Sequence, residues 1–233
     1  MAARVTFDRQ LREVRARILE LGSLTERSVA AAASALFQRD LALAKAVVVG
    51  DQEINRLRFV IEDEITTVMA TQQPTARDLR ELVTALSITS ELERIADHAK
   101  GIGRLVSRLD GLPMPADLAD LVSMAEDVRA MLRHSLDAYV EQNVAEAEAV
   151  AQGDYEIDRR YQTIFQTLSE FMSVGRPEQM AGTYLLWVAH NLERIGDRAT
   201  NLAERVVFLV TGKLMERQSQ PVVNPLPLEE QNG

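Results

Sequence analysis

Apolar residues return at every third or fourth position over long stretches of this chain. Ile54, Leu57, Ile61, Ile65, Val68 and Met69 form one such stripe, and Leu185, Val188, Leu192, Ile195, Ala199 and Leu202 form another. That spacing lines one face of an α-helix. Proline shows where the helices stop, because inside a helix it removes a backbone donor and clashes with the preceding turn. The seven prolines fall in four places: Pro74, the pair Pro113 and Pro115, Pro177, and a last group at Pro221, Pro225 and Pro227. The proline-free stretches between them are too long for single helices in a compact domain, and polar breaks at Gln38-Arg39-Asp40 and Gln142-Asn143 divide them further. Six long helices are predicted, over about 4–37, 40–72, 75–109, 116–141, 144–173 and 178–212, giving an all-α fold.

The chain also repeats itself. LERIAD at Leu92 to Asp97 returns as LERIGD at Leu192 to Asp197, 100 residues on and differing at a single position. GDQEINR from Gly50 returns as GDYEIDR from Gly153, 103 residues on, and the same offset carries Met69 onto Met172 and Pro74 onto Pro177. Two markers in one order, joined by a proline at the same place, predict two copies of a three-helix unit, at 1–112 and 113–214. The segment holding Gly111, Pro113 and Pro115 lies between them. Residues 215–233, with three prolines and no helical period, are expected to form a disordered tail.

Composition narrows the chemistry. With 5% aromatic residues and 11 glycines in 233 residues, helix is favoured over sheet. The absence of cysteine excludes disulfides, thiolate zinc sites, iron–sulfur clusters and a cysteine nucleophile. A formal charge of -9 opposes binding to a phosphate backbone, so nucleic acid is not expected as a partner. The N-terminus has no apolar signal core and no run is long enough to span a bilayer, so a cytoplasmic protein without direct membrane insertion is expected. There is no P-loop, GxSxG elbow, HExxH or glycine-rich nucleotide turn.

What remains is a set of carboxylates at helical spacing. Glu93 with Asp97, and Glu193 with Asp197, stand one turn apart on one face of the third helix of each copy. Asp154 and Asp158 have the same spacing on the second helix, matched in the first copy by Asp51 and Asn55, and Asn201 extends the Glu193 and Asp197 stripe by another turn. Converging from antiparallel neighbours, such oxygens suit magnesium, manganese or iron. A solvated face is the alternative, since an exposed like-charge pair costs only about 0.2–0.5 kcal/mol, with Arg94 and Arg194 neutralising the surface. Asp51 and Asp154 each follow glycine, so a local capping role is also open to them. His98, His134 and His190 are assigned surface or structural roles, His190 being a possible auxiliary ligand three residues before Glu193.

From Phe7 in FDRQLREVRARILELG, through VVVGDQEINRLRFVIEDEI, QPTARDLRELV and SELERIADHA, to NLERIGDRATNLAERVVFLVTG, the sequence resembles the PhoU family of phosphate-specific transport system accessory proteins over about residues 7 to 212. The resemblance implies two three-helix bundles with E/D-x-x-x-D motifs on Glu93 with Asp97, Glu193 with Asp197 and Asp154 with Asp158. Some members bind multinuclear metal clusters there, and divalent or trivalent ions of Mg, Mn, Fe or Zn are the expected cofactors. Asn55 stands where a second Asp is expected and Gly101 replaces the asparagine seen as Asn201, so the first site is expected to be weaker or to use fewer ligands. The family role implied is a negative regulator that couples the ATPase of the phosphate ABC transporter to a membrane sensor histidine kinase, peripheral at the inner face of the membrane through those partners. A homodimer without enzymatic activity is expected. The rival classes are a carboxylate-bridged di-metal enzyme and a plain helical scaffold. The former uses Glu-x-x-His motifs, and here the residues three after Glu93 and Glu193 are Ala96 and Gly196.

Overall fold

The computed structural model describes residues 2–215; beyond Met215, the segment expected to be a tail lies outside the described residues. Every regular element among the described residues is a helix: α1 (Ala2–Gln38), α2 (Leu41–Gln72), α3 (Ala76–Arg108), α4 (Ala119–Glu141), α5 (Val144–Gln152), α6 (Asp154–Met172) and α7 (Arg176–Thr211). None of them is long and apolar enough to cross a membrane.

The polar breaks work as caps. Asp40 accepts a hydrogen bond from the Leu43 N–H at 2.9 Å and starts α2; Asn143 does the same for Glu146 at the start of α5. The predicted fifth helix is broken at Gly153 into α5 and α6, the Gly153 N–H closing a tight turn on the Val150 carbonyl at 3.0 Å. Glycine is about 1 kcal/mol worse than alanine inside a helix, which makes this a ready breaking point. Pro177 lies inside the first turn of α7 rather than ahead of it, at a place where a helix has no use for the missing N–H.

Helices α1, α2 and α3 pack on one another, as do α4, α5, α6 and α7, and the two sets meet along α3 and α7 with α1 against α4. The α3–α7 seam is antiparallel: Arg80 lies over the Phe208 ring at 5.8 Å, His98 bonds Asn191 at 3.1 Å, and Arg108 lies over the Tyr184 ring at 6.0 Å. Leu92, Ile95 and Ala99 of α3 and Leu192, Ile195 and Ala199 of α7 are fully buried, so the predicted apolar stripes are core. On α3, Gly103 admits close approach by α2; a Cβ there would stand 2.9 Å from the Ala44 carbonyl oxygen. Arg39, at the α1–α2 corner, ties down the connection to α4 by donating to the carbonyls of Leu109 and Leu112 at 3.4 and 3.0 Å.

Candidate functional site

The repeated carboxylates lie where α3 meets α2 and where α7 meets α6. On the first face, Asp51 is inside α2 and buried, so a capping role does not apply to it. Its Oδ2 accepts from Lys100 Nζ at 2.7 Å and from Asn55 Nδ2 at 2.9 Å, while Oδ1 is buried without a hydrogen-bond partner. Lys100 Nζ also donates to Asp97 Oδ1 at 3.0 Å, bridging the two helices. The hydrogen bond that Lys100 donates to Asp51, opposed by burial and aided by Asp97, holds the Lys100 ammonium above the usual lysine range. Glu93 is paired with Arg58 of α2 at 3.5 Å, and Arg58 in turn with Glu62 at 3.1 Å.

The second face is different. Asp158 of α6 is exposed and has no hydrogen bond or ion pair among the described residues; partial desolvation, then the neighbouring Glu193 and Asp197 carboxylates, push its carboxyl above the usual range. Tyr161, one turn on, lies near enough to Glu193 for that carboxylate, after burial, to push its phenol up. Among the described residues, the side-chain partners of Glu193 and Asp197 come from α7 itself: His190 Nδ1 lies 3.0 Å from Glu193 Oε2, and Arg194 Nη1 donates to Asp197 Oδ2 at 2.9 Å. Asp154 opens α6 directly after Gly153, in the first turn, where a carboxylate complements the helix dipole. Asn201 donates to Glu91 of α3 at 3.5 Å, beside the Arg198–Glu91 pair at 3.4 Å, and so contributes to the α3–α7 seam.

The structure therefore gathers Asp51, Asn55 and Asp97 around Lys100, sets Glu93 against Arg58, and groups Asp158 with Glu193 and Asp197. Lys100, Arg58 and Glu91 are missing from the sequence-based set of site residues. The repeat offsets hold the missed signal, since 103 residues on from Arg58 is Tyr161 and 100 on from Lys100 is Thr200. Of the histidines, His98 bonds Asn191 and burial lowers its pKa. His134 Nδ1 lies 3.0 Å from Glu146 Oε1 and, with Asp137, forms an oxygen and nitrogen cluster at the α4–α5 corner whose ligand atoms all lie within 4.8 Å of one another.

Two stretches of the chain, residues 18–106 and 121–206, match the PhoU domain. A phosphate-specific transport system accessory protein PhoU homolog from Caulobacter vibrioides is 39% identical over 215 residues, covering 91% of this chain and 93% of that protein. The namesake from Clostridium acetobutylicum is 35% identical over 214 residues, covering 91% and 98%. Among solved structures, PhoU from Pseudomonas aeruginosa superposes with a TM-score of 0.85 at 33% identity, over 89% of this chain and all of that one. The phosphate transport system regulatory protein PhoU from Streptococcus pneumoniae gives 0.84 at 30% identity, over 91% of this chain and all of that one. The repeated sequence motifs, the carboxylate faces on α3 and α7 and this likeness over both halves lead to one conclusion: the chain belongs to the PhoU family.

Proposed function

We propose that this protein is a regulatory accessory subunit of a phosphate transport system, acting by contact rather than catalysis. It would restrain a membrane sensor kinase while phosphate is plentiful, working as a homodimer on the cytoplasmic side beside the transporter ATPase. The observation that carries the transport role is its likeness, over nearly the full length of each, to relatives named as accessory proteins of phosphate-specific transport. Deleting the gene is expected to switch on phosphate-starvation genes in phosphate-rich medium, read with a reporter; a silent reporter in a clean deletion would sink the proposal.

The same reading includes a cation on the α6–α7 face. The donor types support it: Asp158, Glu193 and Asp197 offer hard carboxylate oxygens, and Asp158 meets like charge with no hydrogen bond or ion pair among the described residues. A bound cation would supply the charge that joins α6 to α7 there. Replacing Asp158 by Asn keeps the shape and removes one charge. Without metal, the variant is expected to melt no lower than the wild type, because relieved repulsion contributes about 0.2–0.5 kcal/mol. With Mn²⁺ at a hundredfold excess over Kd, the wild type gains about 2.7 kcal/mol and the variant does not. Thermal melts with chelator and then with Mn²⁺ measure both signs, and identical responses would leave the face merely solvated.

A further inference from the structure

We propose that the two carboxylate faces are not equivalent: Lys100 Nζ is the resident cation of the first, so that face takes no metal ion, and of the two faces only the one built by α6 and α7 is open to a cation. The first half of this statement rests on geometry alone, the second on the metal reading just given.

Lys100 holds Asp51 at 2.7 Å and Asp97 at 3.0 Å, spanning the two helices that a bridging ion would have to join. The remaining carboxylate of that face, Glu93, is engaged by Arg58. A divalent ion seeking these oxygens would have to displace an ammonium group or be bound beside it, where like charge opposes it. Asn55 adds a neutral amide to Asp51 in place of a carboxylate, and Gly101 offers no side-chain oxygen at all.

The repeat makes the contrast specific. Along the second copy, Arg58 becomes Tyr161, Lys100 becomes Thr200 and Asn55 becomes Asp158. Both cations have turned into hydroxyls and an amide has turned into an acid. Tyr161 stands at the repeat position of Arg58, which pairs with Glu93, and Thr200 is buried with its hydroxyl oxygen lacking a hydrogen-bond partner. By the repeat, the two interhelical cations of the first face correspond to two neutral side chains in the second. In the first face the cations bridge the two helices, Arg58 to Glu93 and Lys100 to Asp51; in the second, Arg194 pairs with Asp197 along α7 itself, and among the described residues no cation is bonded to Asp158.

Mn²⁺ titration of the full chain, followed by the electron paramagnetic resonance of the free ion, tests this. With every chain carrying His134→Ala, which takes the α4–α5 corner cluster out of the comparison, all Mn²⁺ bound by the otherwise wild-type chain is expected to be lost in Asp158→Asn and none of it in Asp97→Asn. Lys100→Thr, which places the second copy's residue in the first, is expected to bind about twofold more Mn²⁺ than the wild type, as its freed carboxylates become ligands. Tyr161→Arg, which brings the first copy's cation to the second face, is expected to abolish wild-type binding. A Lys100→Thr chain that is folded by circular dichroism yet binds no additional Mn²⁺ overturns the proposal. So does loss of part of the wild-type binding in Asp97→Asn, a substitution at a side chain 62% exposed and therefore safe for folding. If the wild type binds nothing while Lys100→Thr gains Mn²⁺, Lys100 is the resident cation and the metal reading of the second face fails.

Discussion

Replacing Asp51 by Ala is expected to lower the free energy of unfolding by about 3 kcal/mol, because it takes from the Lys100 ammonium its buried partner and leaves it only the exposed Asp97. The lysine side chain is 18% exposed and that of Asp51 5%, so little water is available to compensate either charge. The same change removes an acceptor from Asn55 Nδ2. Asp97, the other partner of Lys100, is well exposed, so Asp97→Ala should cost no more than about 1 kcal/mol although its bond is almost as short. Urea unfolding of the two variants gives the comparison directly. In a Lys100→Met background the Asp51→Ala loss should shrink by about 1.5 kcal/mol or more, since no cation is left without its buried partner. Equal losses for Asp51→Ala and Asp97→Ala would show that the Lys100 bridge does not support the α2–α3 contact.

A second large effect is expected at Leu192. It is 1% exposed in the midst of α7, within the seam that joins the two sets of helices, and it follows directly on Asn191, which bonds His98 of α3. Leu192→Ala should cost about 2–5 kcal/mol from lost burial and from a cavity that the long helices on either side cannot collapse to fill. For a chain of this size that corresponds to a fall in Tm of roughly 5–15 °C. Trp187, five residues earlier on the same helix, is 58% exposed. Its replacement by Ala should change stability by no more than about 0.5 kcal/mol despite the greater volume removed. Calorimetry on both variants checks the order; a larger loss at Trp187 would mean that its exposed ring is covered by something outside the described residues.

Much of the fold was legible from local rules. Proline positions and the polar pair before residue 41 located the helix ends to within a few residues, because capping and the loss of an N–H are decided by neighbours along the chain. Duplication of LERIAD placed Glu93 and Asp97 on α3 and Glu193 and Asp197 on α7, in the same turn of each copy. The break at Gly153 was not legible, since an identical Gly-Asp pair at Gly50 continues straight through α2. The same dipeptide is helical in one copy and a corner in the other, so packing rather than propensity decided it.

The candidate site was half legible for the same reason. Periodicity states which residues share a face of one helix, and so the sequence by itself determined that these carboxylates come in stacked pairs and that they come twice. It was silent on what faces them, because the partner of a side chain depends on the rotation and offset of a second helix whose placement is set by burial of the whole apolar stripe. Only the tertiary structure decided that Lys100 closes on Asp51 and Arg58 on Glu93, that Asp158 meets Glu193 and Asp197 instead, and that Asn201 reaches across to Glu91. Charge compensation is a property of pairs of helices, and it differs between the two copies although their acidic motifs are nearly the same.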